Sequence, residues 1–184
     1  MKKIIVSAIL IILALPMVAQ DKPYVSGEPN VVKVNTLSLL VGTGSIFYER
    51  KLSDNLSGQL GVGYLSYKIN DSKFSGLILT PEVRFYPKNN AIDGFYLAPY
   101  FRYQNFQLSN TETNDKGTYS NYGGGLAIGR QWITNSGFTM DLFFGGHYSK
   151  GNISTEEGSS GNNFDVAKFE GFRMRIGFSI GFAF

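Results

Sequence analysis

The stretch HYSKGN at 147–152 places His147 two residues before Ser149. On a strand that spacing puts both side chains on one face. An imidazole beside a hydroxyl can take its proton and make it a nucleophile, provided a carboxylate orients the ring. The chemistry would be hydrolysis. Glu156 and Glu157 follow in a polar loop that the strand pattern does not place, so the third member of such a triad has no assigned position. His147 is the chain's one histidine, and there is no cysteine. Thiolate catalysis, disulfides and cysteine metal sites are therefore excluded. Glu156, Glu157, Asn162, Asn163 and Asp165 offer oxygen ligands, but without the regular spacing of a calcium loop. No metal and no cofactor is implied. Gly123, Gly124 and Gly125 lack the lysine and the strand-to-helix context of a phosphate loop. They suit a curved, crowded strand instead.

The elements that must position His147 and Ser149 are strands. The chain ends in GFRMRIGFSIGFAF, 171–184, where Phe172, Met174, Ile176, Phe178, Ile180, Phe182 and Phe184 occupy every second position. That is period two, with one face wholly apolar. Alternating segments recur at about 31–40, 45–52, 56–69, 74–86, 94–108, 118–133, 137–151 and 168–184. A chain of 184 residues with 22 glycines, 15 phenylalanines and 11 tyrosines fits crowded, curved strands with many aromatics at a boundary. The connectors alternate along the chain. Turns rich in turn formers, at 53–55, 87–93 and 134–136, alternate with the other kind of connector. That kind includes two long polar loops at 109–117 and 152–167 and two short links at 42–45 and 70–73. An up-and-down barrel needs tight turns at one rim and variable loops at the other. Strands in hydrocarbon cannot leave backbone amides unpaired, so the sheet must close. An even strand count requires the turn at Gly42, Thr43 and Gly44 to split the first hairpin. The expected fold is all-β, an eight-stranded antiparallel up-and-down transmembrane β-barrel over 31–184.

Parity then assigns faces. Glu49, Glu82, Arg84, Arg102, Asp141, Arg173 and Arg175 fall inside, together with Phe47, Tyr86, Tyr96, Tyr100, His147 and Ser149. Glu82 and Arg84 share a face two residues apart, and Arg102 comes from the next strand, so these three are expected to pair. Interior charges can line a selectivity filter or a ligand site. They can equally form a satisfied ionic core, and eight strands are just wide enough for side chains to fill the lumen. The filled lumen is the preferred reading. Tyr48, Tyr103, Trp132, Tyr148 and Phe184 are expected in aromatic girdles at the membrane interfaces. The first strand is ambiguous. Leu37, Leu39 and Val41 form one clean face, but Lys33 and Asn35 share its parity. The third needs a bulge or shift between Tyr64 and Tyr67.

The N-terminus reads as a secretory signal peptide over 1–19. Lys2 and Lys3 precede an apolar run from 4 to 15, and Pro16 ends it. That run is shorter than the roughly 20 residues a membrane-spanning anchor needs. Residues 20–30, with Pro23 and Pro29, form a periplasmic lead-in. Lys and Arg number 17 and Asp and Glu 14. Removing Lys2 and Lys3 leaves the remainder close to neutral, with no basic run to hold a phosphate backbone, so nucleic acid is not an expected partner.

YERKLS at 48–53, PEVRFYP at 81–87, GFYLAPYFRY at 94–103 and GGGLAIGRQW at 123–132 resemble a family of outer-membrane β-barrel proteins of unknown function from Bacteroidota. The resemblance covers about residues 31–184 and implies an eight-stranded barrel in the outer membrane. It brings no catalytic residues. Separately, the string around His147 and Ser149 resembles the histidine–serine stretch of outer-membrane lipid A deacylases, with these two residues as base and nucleophile. Their interior parity opposes that role, because an enzyme acting on lipid needs them on the lipid side. The C-terminal strand ending in Phe184 resembles the signal read by the outer-membrane assembly machinery. The expected partners are that machinery and outer-membrane lipids including lipopolysaccharide, and the expected state is a monomer. The preferred function is a plugged structural or binding scaffold. A lipid A-modifying hydrolase and a narrow channel for small solutes are the alternatives.

Overall fold

A computed structural model describes residues 28–40, 42–69, 72–88, 90–110, 116–155 and 170–184. The expected signal peptide, most of the lead-in, and the loop residues Glu156, Glu157, Asn162, Asn163 and Asp165 lie outside them.

Eight strands form one closed antiparallel barrel in simple sequence order. They are β1 (Asn30–Asn35), β2 (Thr43–Lys51), β3 (Leu56–Ile69), β4 (Ser72–Phe85), β5 (Gly94–Asn110), β6 (Lys116–Ile133), β7 (Phe138–Thr155) and β8 (Gly171–Ala183). The seam is β8 on β1, from Val31 opposite Ala183 to Asn35 opposite Ser179. Beyond it, Phe184 N–H donates to the Asn30 carbonyl at 2.9 Å, and Asn30 N–H returns the bond at 3.2 Å. No strand edge is left open, which is the condition for a sheet in hydrocarbon. About 9–11 residues cross a bilayer. Strands β5, β6 and β7, at 17, 18 and 18 residues, continue past it at the loop rim.

Two expectations are corrected. The first strand does not run to residue 40. It stops at Asn35, whose side chain caps the one-turn helix α1 (Thr36–Leu39) by accepting a 3.2 Å bond from Ser38 N–H. Asn at that position offers the backbone a local alternative to the ladder. Leu37 and Leu39 therefore belong to the turn of helix and say nothing of the strand's faces. Val31, Lys33 and Asn35 point inward. The third strand has no bulge. It pairs one-to-one with β4 from Leu56 opposite Phe85 to Ile69 opposite Ser72.

The exterior is apolar. Ile46, Leu60, Val62, Val83, Leu97, Phe101, Ile128, Phe144, Met174, Ile176 and Phe182 all stand exposed on the outer wall. The lumen is filled, and its packing explains several interior glycines. In three cross-strand pairs a glycine faces an aromatic ring: Phe47 with Gly61, Tyr96 with Gly129, and Phe143 with Gly177. A Cβ at Gly61 would sit 2.5 Å from the Phe47 ring, and those at Gly129 and Gly177 would overlap Tyr96 and Phe143. Each ring lies in space its neighbour vacates, as a narrow, tightly curved barrel requires.

At the rim where β1 begins and β8 ends, the connection from β4 to β5 buries Ala91 and Ile92. Ile92 is buried against Val31, Ile133 and Ala183. Its φ of 72° is a left-handed conformation that costs a β-branched residue roughly 1–2 kcal/mol. Burying an isoleucine side chain returns about 1.5–3 kcal/mol, which outweighs that strain. The Gln131 side-chain N–H holds the turn by donating to the Ile92 carbonyl at 2.6 Å.

Candidate functional site

The charged residues of the lumen meet in one layer above the Ile92 plug. Lys33, on β1, uses all three ammonium protons. Its Nζ donates to Glu49 Oε2 at 2.6 Å, to Asp141 Oδ2 at 3.0 Å, and to Gln131 Oε1. Arg84 reaches Glu82 Oε1 through Nε at 2.7 Å. Through Nη1 it reaches Asp141 Oδ2 at 3.0 Å and Glu49 Oε2 at 3.2 Å. Arg175 Nη1 takes the other Glu82 oxygen at 2.6 Å. Neutral side chains complete the acceptors. Ser57 Oγ and Tyr86 OH donate to Glu49 Oε1 at 2.5 and 2.7 Å, and Tyr96 OH donates to Asp141 Oδ1 at 2.8 Å. Three cations face three carboxylates, so the layer is electrically neutral.

Every strand supplies a member of this layer: Lys33, Glu49, Ser57, Glu82 with Arg84, Tyr96, Gln131, Asp141 and Arg175, in order from β1 to β8. Lys33, Glu49, Arg84, Gln131 and Asp141 are wholly shielded from solvent. A buried charge is tolerated only when paired and hydrogen-bonded, and here each carboxylate oxygen has a donor. Aromatic rings close the layer. Arg84 lies 4.1 Å from the Tyr96 ring centroid, and Arg175 lies 4.5 Å from Tyr100 and 4.6 Å from Phe143.

Arg102 does not join Glu82 and Arg84 as expected, because Arg175 occupies the remaining Glu82 oxygen. Arg102 and Arg173 instead line a cavity of about 390 Å³ between the ionic layer and the loop rim. His147 lines it too, and its Nδ1 lies 3.1 Å from Tyr100 OH. Ser149 is buried, and its Oγ accepts a 3.3 Å bond from the Asn121 side chain. Both residues of the histidine–serine pair thus face the lumen and not the lipid. Among the described residues no group of three or more His, Asp or Glu side chains is placed to hold a metal ion.

On the outer wall, Tyr48, Tyr148 and Phe184 stand exposed toward the two rims. Tyr103 is half-buried, with its hydroxyl accepting from Asn105 at 3.4 Å. Trp132 lies on the same strand face as the exposed Tyr122, Leu126 and Ile128. It is buried, with the Arg130 guanidinium 5.2 Å from its ring, so the arginine covers it.

Sequence reasoning missed two neutral members of the layer, Ser57 and Gln131, and one charged member, Lys33. The parity of Lys33 was clouded by Leu37 and Leu39, which α1 removes from the strand. The signal available was Asn35 followed by Thr36, a helix-start pair that ends the strand early.

A closed barrel with an apolar outer wall and a polar interior is the construction of a membrane-spanning β-barrel, and single-chain barrels of this kind belong to outer membranes. The fold is similar to the crystal structure of a major outer membrane protein from Thermus thermophilus, with 18% identity and a TM-score of 0.53 over 86% of this chain and 100% of that chain. The crystal structure of Acinetobacter baumannii CarO is a weaker likeness, with 13% identity and a TM-score of 0.48 over 89% of this chain and 100% of that chain. At 18% identity the likeness to the Thermus thermophilus protein speaks to fold alone. No curated protein sequence matches the chain. A family model described as "Protein of unknown function (DUF3575)" matches residues 7–163, and the chain belongs to that family.

Proposed function

We propose that the protein is a sealed outer-membrane scaffold, a rigid barrel that presents its loop rim for recognition and does not conduct. One observation carries this reading. All eight strands contribute to a neutral ionic layer that closes the lumen, backed by the Ile92 plug at the other rim. A conducting pore would need mobile water through that layer, and its carboxylate oxygens are already occupied by protein donors. In this reading residues 1–19 direct export, and the terminal rim faces the periplasm. Lipopolysaccharide contacts the outer wall, and β8 with Phe184 is the strand presented to the assembly machinery. The strings at 48–53, 81–87 and 94–103 further suggest a source within the Bacteroidota. The hydrolase alternative loses ground because His147 and Ser149 are buried inside the lumen.

Planar bilayer recording on the refolded mature chain tests the reading. The expected record shows no discrete single-channel steps. Reproducible steps of uniform size would replace the sealed scaffold with a channel.

A further inference from the structure

The cavity above the ionic layer has a charge pattern the scaffold role does not use. Arg102, Arg173 and Arg175 converge on it, with His147, Gln104 and Asn35 as polar neighbours. Among the described residues no aspartate or glutamate lines it. Of these three arginines, only Arg175 has a carboxylate partner among the described residues, Glu82. Arg102 and Arg173 form no ion pair with any described residue. Like charges held in a confined, low-dielectric space repel, and an anion between them relieves that repulsion. Guanidinium groups present paired N–H donors that match a carboxylate or phosphate. The volume, about 390 Å³, falls within the span of roughly 300–1,000 Å³ common to small-molecule sites.

We propose that this cavity is a binding site for a small oxyanion, a carboxylate or phosphate group held by Arg102 and Arg173 with Arg175 at its floor. Phe47 and Phe143 line the cavity as well and offer an apolar wall to the rest of such a ligand. Access is from the loop rim, because the ionic layer blocks the other end. That direction rests on the sealed-lumen reading, whereas binding itself does not. Conductance steps would sink the sealed lumen and leave the anion site to be judged on its own titration.

The test is calorimetric titration of the full mature chain, refolded in neutral detergent, with inorganic phosphate and with succinate. Sodium chloride at matched ionic strength is the control, and a parallel series adds lipopolysaccharide to the micelles. The expected result is saturable binding of phosphate or succinate, weakened at least tenfold in R102Q/R173Q and unchanged in R50Q, whose side chain is on the outer wall. Binding seen only with lipopolysaccharide would assign the same oxyanion chemistry to a lipid headgroup. Circular dichroism and boiling-dependent gel mobility verify that R102Q/R173Q is folded. If R102Q/R173Q does not fold, R173Q alone is titrated to the same criterion. No saturable heat with phosphate or succinate, with or without lipopolysaccharide, or equal affinity in the folded variant, would overturn the site.

Discussion

Lys33 is the residue on which the interior turns. Its ammonium donates to Glu49, Asp141 and Gln131, joining β1 to β2, β6 and β7, and Arg84 meets the same three side chains from β4. Replacing a buried ion pair by apolar side chains can be neutral, but removing one partner strands an opposite charge. Lys33→Met leaves Arg84 as the cation shared by Glu49 and Asp141. The expected loss is about 3–5 kcal/mol in urea unfolding from lipid vesicles. Adding Asp141→Asn restores neutrality and recovers part of that loss. Lys51, paired with Asp54 at 3.0 Å in an exposed turn, makes the contrast. Its loss to alanine is expected to cost no more than about 1 kcal/mol. Equal effects at Lys33 and Lys51 would mean that the interior layer is not dry.

At the scale of the strand, alternation was legible because a barrel wall divides lipid from lumen at every residue. In β7, Met140, Leu142 and Phe144 alternate in sequence with Thr139, Asp141 and His147, and the latter three are buried. Three things were not legible. Asn35 ends β1 through a capping bond, which depends on local backbone geometry and not on the apolar period. The pairing of Glu82 with Arg175 and not Arg102 depends on how β8 returns beside β1, a contact 93 residues apart in sequence. The burial of Trp132 depends on where the Arg130 side chain folds. Periodicity fixes a face, while partners across the lumen come only with closure. The wall makes its own prediction. Ile128→Arg, in the outer apolar belt, is expected to destabilise the barrel by about 2–4 kcal/mol. Thr118→Arg, at the loop end of the same strand, is expected to cost about 0–1 kcal/mol by the same unfolding assay. Similar costs at both positions would show that β6 does not cross the bilayer as drawn.

For the whole molecule, the ionic layer, the glycine-for-ring pairs and the β8–β1 seam depend on each other. The layer needs all eight strands in register, and the seam holds that register by pairing Asn30 with Phe184. The anion cavity is what remains of the lumen once the layer is in place. The central claim is therefore a closed membrane barrel. It is tested most directly by refolding the mature chain into detergent, running it on a gel with and without boiling, and recording circular dichroism on the same sample. The account predicts a strand-rich spectrum and a band that migrates differently after boiling. A chain that folds and stays in solution without detergent, with no change of mobility on boiling, would contradict it.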